Sequence, residues 1–120
     1  MAMAAGKRAH VHTAAIAHPD AALLALASPL RAAMLEENAA IETDAPAEVV
    51  EAAYDRAAAL VRAVPDMVAQ TPEGLRVKCL ALQWARGIDD DWQLGGPDTT
   101  DWQLLGSIVR DVVAMCEARR

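Results

Sequence analysis

The chain has no phenylalanine, one tyrosine and only three tryptophans, which excludes a core built on many packed aromatic rings. Runs of β-branched residues of strand length are missing too, which argues against a sheet. Two cysteines, Cys79 and Cys116, are too few and too far apart for a disulfide framework. Each sits inside an apolar helical pattern and is expected to be a reduced thiol used as a small core residue. No apolar stretch approaches the roughly 18 to 20 residues that cross a bilayer. The first eighteen residues, MAMAAGKRAHVHTAAIAH, carry a basic pair with no compact apolar segment behind it, a poor match to a signal peptide. A flexible tail over residues 1–17 and a cytoplasmic protein are therefore expected.

Positive charge is also scarce. Eleven Lys and Arg stand against 17 Asp and Glu, a net charge of −6. Apart from Lys7-Arg8 and Arg119-Arg120 the basic residues are scattered singly. A nucleic-acid binder needs a basic face to neutralise phosphates, so neither nucleic acid nor an anionic membrane is an expected partner.

What the chain does have is alanine, 28 of its 120 residues. Alanine is the best helix former, and with Leu, Glu and Arg it tilts the whole chain toward helix. It buries little area per residue, so burial through self-association is attractive. The expected fold is all-α: a small antiparallel bundle of about four helices in one domain, residues 18–120.

Apolar spacing predicts helices near 19–41, 46–64, 72–86 and 101–118. Leu23, Leu26, Leu30 and Met34 share a face of the first, and the stripe stays in phase across Ser28-Pro29, which predicts a kink rather than a break. Asp44 is expected to start the second helix, whose stripe is Val50, Tyr54, Ala57, Val61 and Val64, widened by Ala53 and Leu60. Pro65 interrupts it, and Met67 and Val68 are expected to tuck back onto the core. Thr71-Pro72-Glu73 reads as a hydroxyl cap, a first-turn proline and an acid at the positive helix end. Leu75, Cys79 and Leu82 then form one face, which Val77, Leu80 and Trp84 extend, up to Gly87.

The tetrapeptide Asp-Trp-Gln-Leu occurs twice, at 91–94 and 101–104. The second copy fits a capping box, Thr100 as cap with Gln103 three residues on. It opens the last helix, whose expected core stripe is Leu105, Ile108, Val109, Val112 and Cys116. The first copy has the same grammar but is stopped by Gly95-Gly96-Pro97. The repeat thus reads as a helix-start phrase used twice.

Chemistry-bearing constellations are sparse. Calcium-loop frames starting at Asp89 or Asp91 fail at the sixth or the twelfth position, so no metal is expected. His10, His12 and His18 all precede the expected core and leave it without a histidine base. Phosphate loops, nucleophile elbows and Glu-x-x-His pairs are absent. No catalytic activity and no cofactor are expected. The tryptophans Trp84, Trp92 and Trp102, with Tyr54, are the candidate interface residues, weighed against closing one end of the bundle.

Across AQTPEGLRVKCLALQWA, residues 69–85, the chain resembles a group of short, uncharacterised bacterial proteins, often prophage- or mobile-element-linked. They share a Thr-x-x-Gly-Leu-x-x-Lys helix, matched here by Thr71, Gly74, Leu75 and Lys78. Leu23, Leu24 and Leu26, and the Tyr54-Asp55-Arg56 helix, are similar in outline. Pro29 and Pro65 depart from the smoother helices of the group. The resemblance implies a helical fold and carries no activity.

The expected role is a small acidic helical protein–protein interaction or regulatory protein, a homodimer or the partner of another protein. The alternatives are an acidic nucleic-acid-mimicking inhibitor of a host DNA-binding enzyme, for which a charge of −6 is thin, and a small-ligand-binding bundle.

Overall fold

A computed structural model describes residues 18–87, 96 and 98–119. The expected tail, Trp92 and the Asp89–Asp91 run lie outside the described residues. Among those described, all regular structure is helical: α1 (Ala21–Glu42), α2 (Ala47–Arg62), α3 (Pro72–Arg86) and α4 (Thr100–Ala118). The expected bounds fall within two residues of these at every end.

α1 runs through Pro29 as one element. The proline cannot donate to Ala25, but both residues are exposed, so the freed carbonyl can meet water. Leu23, Leu30, Ala33 and Ala40 form its buried face. At its far end the Ala45 N–H donates to Ala40 O (2.9 Å) and the Asp44 N–H to Ile41 O (3.1 Å), the paired bonds of a Schellman ending. Asp44 takes the left-handed conformation this needs, φ 53°. The expectation that Asp44 starts α2 is thus corrected: it finishes α1, and α2 begins after Pro46.

The short connection folds α2 back along α1, the most extensive helix pairing in the molecule. α2 buries Ala53, Ala57, Ala58 and Val61, and an exposed ion pair between Arg56 and Glu36 spans the two helices. Val64 and Ala69 in the following connector are buried and Met67 packs against the core, whereas Val68 is exposed, contrary to expectation. α3 packs on α1, and α4 packs mainly on α3. One cluster unites the four helices: Leu23, Leu30, Val61, Val64, Ala69, Val77, Ala81 and Leu104.

Candidate functional site

The largest fully buried side chain is Lys78, on α3. Its Nζ lies 2.5 Å from Asp111 Oδ2 and donates to Ser107 Oγ, also at 2.5 Å. The Ser107 hydroxyl in turn donates to the Pro65 carbonyl (2.8 Å), and Asp111 Oδ2 accepts the Ala69 N–H (3.0 Å). The cluster joins α3, α4 and the connector between α2 and α3. A lysine beside a serine invites comparison with a nucleophilic pair, which needs a neutral amine as base and a hydroxyl open to substrate. Here the amine is paired with a carboxylate, and Ser107 is 1% exposed with its proton committed to a carbonyl. The cluster is a clamp.

A second buried acid joins the starts of two helices. Asp20 precedes α1 but does not cap it. Its carboxylate reaches the start of α3, accepting the N–H of Gln70 (2.9 Å), the N–H of Thr71 (2.9 Å) and the Thr71 hydroxyl (2.5 Å). Thr71 Oγ1 also accepts the Gly74 N–H at 3.2 Å, so the expected hydroxyl cap forms. Gly74 is required here, because a Cβ at that position would overlap the Asp20 carboxylate. Burial alone would raise the Asp20 carboxyl. The Thr71 hydroxyl, the two backbone N–H groups and nearby His18 outweigh that and hold it below its ordinary value.

Of the expected interface residues, Tyr54 and Trp84 come together, ring centroids 5.1 Å apart and tilted by 40°. Trp84 Nε1 donates to Glu37 Oε1 at 2.7 Å, which ties the pair to α1. The two rings border a cleft of about 290 Å³ that also meets Arg62 and Asp101. Trp102 stands elsewhere, on the outer side of α4 beside Pro65 and Gly106.

α4 carries the main correction. Its inner residues are Asp101, Leu104, Ser107 and Asp111. Of the stripe expected in the core, Leu105 and Ile108 are half-buried, while Val109 (53% exposed) and Val112 (41%) face out, beside Val113 (50%) and Trp102 (46%). Cys116 is exposed as well, as is Cys79 on α3, and both are free thiols rather than core residues. The cause is the clamp, which turns Asp111 and Ser107 inward and leaves the valines outside. The capping box is displaced too. Thr99 holds the cap position without a side-chain cap bond. Its hydroxyl bonds Gly96 O (2.6 Å) and Asp101 Oδ1 (2.5 Å) instead.

Sequence reasoning missed Lys78, Ser107, Asp111 and Asp20. A signal for the clamp was present: Lys78 follows Val77 in the middle of the apolar α3 pattern, and Asp111 interrupts α4 between Val109 and Val112. Among the described residues, no group of His, Cys, Asp and Glu is placed to hold a metal ion, and no helix is long and apolar enough to cross a membrane. No protein-family model, curated protein or solved structure matches the chain.

Proposed function

We propose that the chain is a non-catalytic, acidic helical protein that works by binding protein through an apolar helix face. The observation that carries this reading is the inversion of α4, which buries Asp101, Ser107 and Asp111 while Trp102, Val109, Val112 and Val113 stay open. Contiguous apolar surface of this kind marks association sites. The buried serine and lysine are used up in the clamp, which supports a role without catalysis. Two free, exposed thiols suit a reducing compartment and hence a cytoplasmic setting. The resemblance over residues 69–85 adds a bacterial, mobile-element context. Nucleic-acid mimicry draws less support, because Asp20, Asp101 and Asp111 are turned inward and thin the acidic surface.

The test is co-purification of the tagged full chain from its native cells, beside the Val109→Glu variant. Wild type should retain a protein companion, its own copy or another, at near-stoichiometric amount, and the variant should lose it. Equal recovery with both chains, or no companion with either, overturns the reading.

A further inference from the structure

We infer that the outer face of α4 pairs antiparallel with the same face of a second copy of this chain, an inference that rests on the interaction reading above. The outward stripe is Trp102, Val109, Val112 and Cys116, exposed, with half-buried Leu105 between the first two, at alternating spacings of three and four, and exposed Val113 widens it. That is the seam of one helix against another, not a pocket for a small molecule. Trp102 and Cys116 are fourteen positions apart, about 21 Å along the helix. The charged residues Arg110 and Glu117 lie on its flank, and Asp101 and Asp111 lie on the buried side.

The occupant follows from how the stripe matches its own reverse. Val109 sits midway between Trp102 and Cys116. Antiparallel crossing there sets the bulky Trp102 end against the small Cys116 end of the other copy, and Leu105 against Val112 and Val113. It also brings Asp98, just before α4, toward Arg119, just after it, so opposite charges meet at both ends. The positive end of each helix dipole then lies beside the negative end of the other. A parallel pair would stack Trp102 on Trp102 and set like charges together at both ends.

Gly106, on the edge of the stripe, supports the same conclusion. Glycine inside a helix is unfavourable relative to alanine. Among the described residues nothing lies within 4 Å of a Cβ built at Gly106, so none of them demands glycine there. A second backbone approaching that edge does.

Sedimentation of the full chain over a range of concentrations, with Val109→Glu and Val113→Glu compared, tests the pairing. Wild type should dimerise in the micromolar range, as a single helix pair below standard interface size allows. Each variant should weaken dimerisation at least tenfold and leave the helical circular dichroism unchanged.

Mild oxidation reports the orientation. In an antiparallel pair the two Cys116 residues lie roughly 20 Å apart, beyond disulfide reach. A Cys79→Ser chain should therefore stay unlinked, and Cys79→Ser/Cys116→Ser/Val109→Cys should link readily. A Cys116-linked dimer overturns the antiparallel arrangement. A monomer at every concentration overturns self-pairing. If that monomer still captures another protein through Val109, the interaction reading survives. If its Cys116 is slow toward thiol reagents, the face belongs to residues 1–17.

Discussion

The α1–α2 hairpin and the α3–α4 seam are both helix pairs, yet different forces set their geometry. Along α1–α2 the apolar spacing marks Leu23, Leu30, Ala53, Ala57 and Val61 among the inward side chains, and Ala33, Ala40 and Ala58 join them. Tyr54 alone of the expected α2 stripe is exposed. At the seam Val77, Ala81 and Leu104 are joined by Lys78, Ser107 and Asp111. The hydrophobic effect is non-directional and tolerates many rotations of a helix about its axis. An ion pair with fixed hydrogen bonds tolerates few. Rolling α4 to bury Val109, Val112 and Val113, each about half exposed, would gain roughly 1 kcal/mol apiece. It would also strand Lys78 without its partner, at a cost of about 3–5 kcal/mol. The clamp is competitive with the whole stripe, so the apolar face stays outside.

The largest expected effect breaks the clamp. Asp111→Ala should destabilise the fold by about 3–5 kcal/mol in urea unfolding, because it leaves a buried lysine uncompensated. Lys78→Met/Asp111→Leu should regain most of that loss, since an apolar pair removes both charges together. The hairpin should behave differently. Leu30→Ala should lose about 2–5 kcal/mol, and adding Val61→Ala should lose more, with no recovery. A seam double variant as unstable as Asp111→Ala would erase the distinction.

A smaller effect sharpens it at the start of α3. Asp20→Asn should cost about 1–3 kcal/mol at neutral pH by weakening bonds to Gln70 and Thr71. The Asp20 carboxyl is lowered in the fold, so its stabilisation is complete above the unfolded value, about 3.9, and fades as pH falls through the folded one. The acid limb of wild-type stability, followed by melting temperature below pH 5, should therefore be steeper than that of Asp20→Asn. Gly74→Ala should cost about 1–3 kcal/mol through overlap with the Asp20 carboxylate. The loss should shrink in an Asp20→Gly background, because the two residues share one contact.

Helix number, helix bounds to within two residues and much of the α1–α2 core were legible because local spacing determines them, although Asp44 and Thr100 do not hold the cap positions expected of them. The polar junctions were not, because each joins residues far apart in the chain, Asp20 with Thr71 and Lys78 with Asp111. The short motif behind the resemblance becomes intelligible at those junctions. Thr71 caps α3 and binds Asp20, Gly74 makes room for that carboxylate, and Lys78 forms the clamp. Three of its four residues thus secure polar contacts of the fold. Of the described candidate interface residues, Tyr54 and Trp84 join α2 to α3 and, through Glu37, to α1. Periodicity identified the α4 stripe but set it in the core, whereas its valines and Cys116 face out.

The smallest effect compares two threonine caps. The Thr71 hydroxyl accepts the Gly74 N–H, so Thr71→Ala should cost about 1 kcal/mol, with more from its bond to Asp20. Thr100 lies within the first turn of α4, after the cap position, and the Gln103 N–H donates to the Thr99 carbonyl at 3.1 Å. Thr100→Ala should therefore change stability by less than about 0.5 kcal/mol, the usual range for a substitution that removes no cap or core contact. Thr99→Ala should cost more than Thr100→Ala, because it removes the bonds to Gly96 and Asp101. Thermal melts of the three single variants at one protein concentration check the order Thr71, Thr99, Thr100. A loss at Thr100 equal to that at Thr71 would restore the capping box that the doubled tetrapeptide suggests, and would move the start of α4 one residue along the chain.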